Sequence, residues 1–173
     1  MASIVTHVLS GTVLALSVPS ATIEEKAFLV IGTVLPDLIF MPYIIAIAHV
    51  AKKKIKNLTE EDFILYGYST PKIRFLKKIY FISHGLPLVF LFLIIGNWQQ
   101  SFLFLSVGFA VHILYDLFMH QYDDTNFVPR PLYPISSYRF RHGFTNGWRT
   151  TWKERILSWS AHLIIIFLIV WLL

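Results

Sequence analysis

The apolar residues of this chain fall into long blocks, each about as long as a bilayer is thick. The stretch 79–119 contains one formally charged side chain, that of Asp116, and its most polar part is the run Asn-Trp-Gln-Gln at 97–100. A helix needs about 20 apolar residues to cross a bilayer, so this stretch predicts two membrane helices and a turn. With three further blocks, the pattern predicts an all-α, polytopic helical membrane bundle. We expect this bundle to be one integral membrane domain over 1–173, with about five spans at approximately 4–18, 27–51, 79–96, 101–119 and 156–173.

The first block, 4–18, is short enough to be read as a cleaved signal peptide instead. A signal peptide is expected to begin with a positively charged region. No Lys or Arg precedes Lys26, however, and His7 lies inside the apolar run. We therefore expect this block to form a short helix within the bundle.

Two segments between the blocks are basic. Segment 52–78 has eight basic and three acidic residues, and segment 120–155 has six Lys and Arg and three acidic residues. With the spans above, both segments lie on the same side, and the positive-inside rule makes them cytoplasmic loops. We expect a multi-pass protein of the inner or plasma membrane with a cytoplasmic N-terminus. The formal charge of +5 points to anionic head groups of the lipid bilayer, and no nucleic acid partner is expected.

Composition agrees with a membrane protein and restricts its chemistry. The chain is 55% hydrophobic and 14% charged, whereas a soluble domain has roughly 25% charged residues. It has no cysteine, which excludes disulfides and thiolate metal sites. Any metal ion would therefore need histidine and carboxylate ligands.

Several ionisable residues lie inside the predicted spans, where such groups are costly and usually face a bundle interior or a cavity. They are His7, Asp37, His84, His112 and Asp116. His112 and Asp116 are spaced i, i+4, so they share one helix face with Cβ atoms roughly 6 Å apart, which one metal ion can bridge. The alternative is a His–Asp hydrogen bond that neutralises two buried groups. His120 extends the same face by another turn.

Asp37 follows Pro36, and proline removes a backbone donor and kinks a helix. A metal ion would account for both the break and the charge, whereas the alternative is a protonated Asp37 hydrogen-bonded to a neighbouring helix. Counted at about 1.5 Å per residue, Asp37 and His112 lie at similar depth in the membrane. Asp116 and His84 lie nearer the cytoplasmic end, so these groups can converge in the inner half of the bilayer.

A set of short motifs runs in order along nearly the whole chain: Thr6-His7 with Gly11, Gly32 to Leu35-Pro36-Asp37, Ser83-His84-Gly85, Gly108 with His112 and Asp116, and Pro131-Leu132-Tyr133-Pro134. In order and rough spacing, the set resembles the membrane-bound metal-dependent hydrolases of the YdjM type. That family is in turn similar to the zinc-dependent phospholipase C and S1/P1 nuclease group, whose soluble helical enzymes bind clusters of zinc ions.

The resemblance implies that Asp37, His84, His112 and Asp116 ligate one metal ion, and that His7 helps to hold a second one with Asp116 bridging. The chain departs from the pattern in two places. Family members often carry a fuller His-Arg-x-x-Thr-His-Ser string around the position of His84. The soluble enzymes also have a later His-x-x-x-Glu pair, whereas here His142 is followed by Asn146. A third metal site is therefore not expected.

The residues allow a hydrolytic mechanism as a hypothesis. One or two divalent ions, with zinc as the first choice and Mn²⁺ or Fe²⁺ as options, would activate water for attack on an anionic phosphoester. Asp116 and His120 are the candidate catalytic residues, with His120 assisting proton transfer. Arg130, Arg139 and Arg141 are candidates for binding the substrate phosphate, although positive-inside topology alone also explains them. A lipid-linked phosphoester is the natural substrate for a site beneath the head groups.

Two other classes of function remain open. The same side chains could line an ion path in a metal-binding or transport protein without turnover. They could instead form a polar clasp between helices in a structural or regulatory membrane protein.

Overall fold

The computed structural model describes residues 4–119 and 130–140, together with Ser160, Ile164, Phe167 and Trp171. The described part is all-helical, as predicted, and contains no strand. Its helices, in chain order, are α1 (Ile4–Leu16), α2 (Ile23–Ala51), α3 (Glu60–Tyr66), α4 (Pro71–Ser83), α5 (Leu86–Gly96) and α6 (Ser101–Met119), with a short 3-10 helix at Ile55–Asn57. The predicted span 156–173 and most of the loop 120–155 lie outside these residues, although the four single positions are helical.

Helix α2 is the axis of the described fold, since α1, α4 and α6 all pack against it. Its start follows from a capping box. The Thr22 N–H donates to Glu25 at 2.7 Å, and the Glu25 N–H donates to the Thr22 hydroxyl at 3.2 Å. The helix then runs to Ala51 without interruption through Pro36, where the sequence analysis places a kink and a break.

The broken helix lies elsewhere, inside the predicted span 79–96. There α4 ends at Ser83 and α5 begins at Leu86, and their axes are bent by 58°. Gly85 lets a neighbouring turn pack against this break, because a Cβ on it would stand 2.7 Å from the Tyr133 carbonyl oxygen. The segment 52–78, treated above as a loop, holds the 3-10 helix, α3 and the start of α4.

Only part of the predicted membrane topology has support in the described residues. One helix, Ile23–Ala51, is long and apolar enough to cross a bilayer, and the bent pair α4–α5 is a second candidate if it counts as one span. Helices α1 and α6 are also apolar, but their apolar stretches, Ile4–Leu16 and Ser101–Leu117, are shorter than those of the two candidates. Five spans are therefore not confirmed, and that number stays a prediction.

Helices α2 and α6 approach each other closely where glycine faces glycine. A Cβ on Gly32 would collide with the Leu105 carbonyl oxygen, and a Cβ on Gly108 would collide with the Leu29 carbonyl oxygen. Any larger side chain would push the two backbones apart, as at other small-residue contacts between helices. Asp37 lies just over one turn beyond Gly32 and His112 lies one turn beyond Gly108, so this contact sets how close the two side chains come.

Two apolar cores lie on either side of the ionisable residues. The first joins α2, α3 and α4 and includes Phe40, Tyr43 and Tyr80. The second joins α5 and α6 and includes Phe109 and Ile113. His84 adjoins the first core and His112 the second, which places the candidate site where the two cores meet.

Replacing Gly108 with leucine should destabilise the fold by about 1–3 kcal/mol, because the side chain overpacks the contact between α2 and α6. The change should lower the thermal unfolding midpoint of the detergent-purified protein. Val107→Leu is the matched control, since Val107 is 45% exposed on the same helix. Equal unfolding midpoints for the two variants would contradict the close approach.

Asp62 should make the stability of the segment after α2 depend on pH. Lys53 Nζ donates to both Asp62 carboxylate oxygens at 2.8 and 2.9 Å, and the Thr59 N–H donates at 2.8 Å. These bonds, chiefly those from Lys53, hold the pKa of Asp62 below its ordinary value. A lowered pKa stabilises the folded state above the ordinary carboxyl pKa, and this stabilisation is lost as pH falls through the lowered pKa.

Asp62→Asn should therefore lower stability at neutral pH by about 1 kcal/mol, as the loss of a helix cap does, and should flatten the acid side of the stability profile. Unfolding measured from pH 7 down to pH 3 tests this. The control is Glu61→Gln, which removes the same charge from an exposed neighbouring position and should leave the acid side of the profile unchanged. Parallel profiles for Asp62→Asn and the wild type would refute the role of Asp62.

Candidate metal centre

Five ionisable side chains from different parts of the chain meet at one place in the structure. They are His7 on α1, Asp37 on α2, His84 at the end of α4, and His112 and Asp116 on α6. Two groups of three have possible ligand atoms within 4.8 Å of one another: His7, His112 and Asp116, and Asp37, His84 and His112. These are the five residues that the sequence analysis proposes as metal ligands.

Asp116 lies at the centre of the cluster. Its Oδ2 atom is 3.3 Å from His112 Nε2 and 3.7 Å from His84 Nε2, and its Oδ1 atom is 3.7 Å from His7 Nε2. The His7 Nε2 atom is also 3.8 Å from Asp37 Oδ2. Ligands about 2.0–2.2 Å from a tetrahedral ion lie roughly 3.3–3.6 Å from each other, so these separations suit ligands around an ion.

The cluster is largely shielded from solvent. The side chains of His7 and His112 are 0% exposed, and those of Asp37 and Asp116 are 12% and 14% exposed. The imidazole rings of His7 and His112 stack with centroids 3.9 Å apart, and His84 meets His112 edge-on at 5.1 Å. Two carboxylates in so closed a place require positive charge or protons beside them.

Two of the histidines are oriented by backbone carbonyls. The His112 Nδ1 atom lies 2.8 Å from the Thr33 carbonyl oxygen, and His84 Nδ1 lies 3.0 Å from the Tyr80 carbonyl oxygen. A carbonyl can only accept, so each Nδ1 carries the proton and donates it. In its neutral form each ring then presents an unprotonated Nε2 to Asp116. Metal-ligating histidines are commonly held in this way, with the second ring N–H bonded to a carbonyl or carboxylate.

The contact between His112 and Asp116 needs a positive centre between the two side chains. With Nδ1–H bonded to Thr33, a neutral His112 turns the Nε2 lone pair toward the Asp116 carboxylate at 3.3 Å, so either a proton or a metal ion has to lie between these atoms. Within the described part of the chain, His112 Nε2 and both ring nitrogens of His7 have no hydrogen-bond partner. A buried polar atom left without a partner costs roughly 1–3 kcal/mol. The buried His and Asp groups could hold a metal ion, which would satisfy His112 Nε2 and one of the two His7 nitrogens.

The Thr33 carbonyl is the main feature that the sequence analysis missed. It lies one residue after Gly32, whose carbonyl loses its helical donor because Pro36 has no N–H. Nothing in the sequence pairs the Thr33 carbonyl with His112.

The remaining predicted site residues have different positions. The guanidinium of Arg130 lies over the Phe81 ring with Cζ 4.4 Å from its centroid. The Leu86 N–H donates to the Pro131 carbonyl at 2.7 Å, which brings the Pro131–Pro134 motif against the break that carries His84. Arg139 is exposed and lies outside the His and Asp cluster. His120 and Arg141 lie outside the described residues.

Comparison of the chain with protein-family models, with curated proteins and with solved structures found no match. The resemblance to the membrane-bound metal-dependent hydrolases therefore stays an expectation from the sequence motifs. The support for a function therefore comes from the cluster of His and Asp residues.

His7→Phe should weaken zinc binding by about 100-fold or more, because loss of a ligand costs at least as much as loss of a residue that orients one. Phenylalanine retains an aromatic ring to stack on His112, so the helix packing is preserved. Zinc affinity is measured on the detergent-purified protein by competition with a chromophoric chelator. His49→Phe is the control, since His49 is an exposed histidine on α2. Unchanged zinc affinity in His7→Phe would count against the assigned cluster.

Proposed function

We propose that this protein is a membrane-embedded metal-dependent hydrolase that cleaves a phosphoester, with lipid-linked phosphoesters as the first substrates to test. The observation that supports this most directly is the contact of three imidazole Nε2 atoms with one buried carboxylate, Asp116, at 3.3–3.7 Å. Of the three rings, two are oriented by donating Nδ1–H to a backbone carbonyl. Imidazole and carboxylate together are the ligand set of catalytic zinc sites.

A location in the bilayer is supported by the outer surface of the described helices. On α2, Ile31, Leu38 and Ile45 recur every seven residues and are 48–53% exposed. On α5, large apolar side chains including Phe90 and Ile94 are exposed in the same way. Apolar faces of this length are costly in water and suit acyl chains. The proposal retains the multi-pass topology with a cytoplasmic N-terminus and basic cytoplasmic loops.

The geometry favours one metal ion over two. His112 belongs to both groups of possible ligands, but its Nδ1 is bonded to the Thr33 carbonyl, so only Nε2 is available to a metal. A single nitrogen atom ligates a single ion, so the two groups cannot each hold an ion through His112, and a second ion would have to rely on His7, Asp37 and Asp116 instead. Zinc is the first choice, and Mn²⁺ or Fe²⁺ suits the same ligands.

When bound, such an ion would lower the pKa of water toward neutrality and so supply a nucleophile. The residues of the chain orient and shield that chemistry. Asp116 faces histidines with both of its carboxylate oxygens, so it can position water between them. Arg130, at the break that carries His84, can bind phosphate oxygens, and Arg139 and Arg141 farther along the chain can add positive charge. His120, four residues after Asp116 in the sequence, would accept or return the proton.

A second candidate is metal transport without turnover, and the α4–α5 break favours it. Discontinuous helices that contribute ligands at a break are typical of transporters, and His84 lies at such a break with a 58° bend. The two candidates share the metal site and differ in whether a bound phosphoester is hydrolysed.

Asp116→Ala should abolish both metal binding and hydrolysis, with turnover reduced by at least about 100-fold, the lower end of what positioned acid–base groups contribute. The purified protein is loaded with zinc, then assayed with bis-nitrophenyl phosphate and with phospholipid in mixed micelles. Glu61→Gln, a change of acidic charge on an exposed residue, is the control and should retain full activity.

The outcomes separate the candidates. Metal binding with hydrolysis that is lost in Asp116→Ala supports the hydrolase. Metal binding without hydrolysis, together with zinc uptake into proteoliposomes, would replace the hydrolase by a transporter. Absence of bound metal in the wild type would leave only a structural clasp.

A further inference from the structure

Helix α3 is folded back against the last turns of α2. Lys53, just past the end of α2, donates to both carboxylate oxygens of Asp62 in the first turn of α3 at 2.8 and 2.9 Å. One residue later, the centroid of the Phe63 ring lies 6.1 Å from that of Tyr43. Tyr43 precedes the end of α2 by eight residues, about 12 Å at the helical rise. The short helix therefore lies beside the apolar part of α2 and not beyond its end.

The outward side of α3 and of the turn that follows it is apolar. Ile64, Leu65 and Tyr68 are 50%, 69% and 49% exposed, and we call these three residues the apolar patch. Ile64 and Leu65 lie on the side of the helix opposite Phe63, which is 1% exposed. The patch is level with Ile45 of α2, whose side chain is 53% exposed and is assigned to acyl chains above. Clustered exposed apolar side chains of this kind mark an interaction surface.

The start of α4 carries exposed cations at the same level. Helix α4 runs antiparallel to α2, because ligand atoms of His84 and Asp37 lie within 4.8 Å of each other and the ring centroids of Tyr80 and Phe40 lie 4.5 Å apart. The first two turns of α4 thus lie beside the turns of α2 that α3 contacts. Three basic side chains of these turns are exposed and form what we call the basic patch: Lys72, Arg74 and Lys78.

We propose that α3 lies in the surface of an anionic membrane, with the apolar patch among acyl chains and the basic patch bound to lipid head groups. An amphipathic helix in this position buries its apolar side about 5–10 Å below the head groups. Lysine and arginine beside it extend their apolar stems so that their charges reach the head groups. A second copy of the chain fits the surface less well, because a two-fold contact would bring the same cations together.

This inference rests on the bilayer location that the proposed function includes, but it does not depend on metal or on hydrolysis. It assigns the start of the segment 52–78, expected from the sequence to be a cytoplasmic loop, to the lipid interface. Anionic lipid would then be enriched beside the same helix, α4, that ends at His84.

The chain has no cysteine, so one introduced cysteine can carry a fluorophore at a chosen position. Leu65→Cys is labelled, and the full-length protein is reconstituted into nanodiscs of phosphatidylcholine and phosphatidylglycerol. Lipid brominated on its acyl chains reports contact with lipid, and iodide reports contact with water. We expect brominated lipid to quench the Leu65 label and iodide to leave it bright. Asn57→Cys is the control, since Asn57 is exposed in the 3-10 helix after α2 and its label should be open to iodide.

The charge of the lipid is tested by brominating either phosphatidylglycerol or phosphatidylcholine. The anionic lipid should quench the Leu65 label more strongly. Replacing both Arg74 and Lys78 with glutamine in the labelled protein should reduce this preference by about fivefold or more, the effect of one basic residue near an anionic surface. Lys26→Gln is the matched control, because it removes the same charge near the opposite end of α2 and should leave the preference unchanged.

Ile45→Cys supplies the reference for a position among acyl chains. If brominated lipid quenches neither the Ile45 nor the Leu65 label, the bilayer location in the proposed function fails together with this inference. If it quenches the Ile45 label while the Leu65 label is open to iodide, only this inference is overturned. Protection of the Leu65 label from both quenchers would mean that protein covers the apolar patch, and equal quenching by the two lipids would remove the role of the basic patch. Either result also overturns the proposal.

Discussion

The candidate site depends on one hydrogen bond, from the Nδ1–H of His112 to the carbonyl of Thr33 at 2.8 Å. It joins α6 to α2 at the depth of the cluster and decides which nitrogen of His112 faces Asp116. The bond can form only because Gly32 and Gly108 let the two helices approach until their backbones nearly touch. Packing between glycines therefore controls the chemistry of a side chain one turn away, since a wider separation would leave the carbonyl out of reach and free the ring to rotate.

The five cluster residues could be predicted from the sequence because two simple regularities apply to them. Charged and imidazole groups are expensive inside apolar helices, so each of them is conspicuous there. Because a helix rises by a constant amount per residue, Asp37 and His112, counted from the starts of two spans that run in the same direction, are expected at similar depth. In the structure these two belong to one group of possible ligands, and the i, i+4 pair His112 and Asp116 has its ligand atoms 3.3 Å apart.

Other features depend on contacts that the sequence does not encode locally. The broken helix was expected at Pro36, yet α2 is continuous there and the break falls at His84-Gly85, where the chain from Arg130 to Tyr133 packs against it. Proline removes one backbone donor, yet α2, packed against α1, α4 and α6, continues through it. The break at Gly85 carries a weaker signal, because its cause is a turn almost fifty residues later in the chain. The burial of Lys77 is of the same kind, since its environment comes from α2 and the segment after α3.

Charge connects the metal centre with the basic residues beside it. Two carboxylates and one divalent ion sum to zero, so a cluster with a single ion would hold no excess positive charge to attract a phosphoester. A two-ion cluster would hold that excess within itself. A neutral cluster with a single ion would then need a cation from outside its ligand set. The guanidinium of Arg130 lies over Phe81, three residues before His84 on α4, so one cation is held beside the helix end that contributes to the cluster. The number of ions and the need for such a cation are therefore linked, because two ions would carry their own excess of positive charge, whereas one ion would depend on a neighbouring cation to attract a phosphoester.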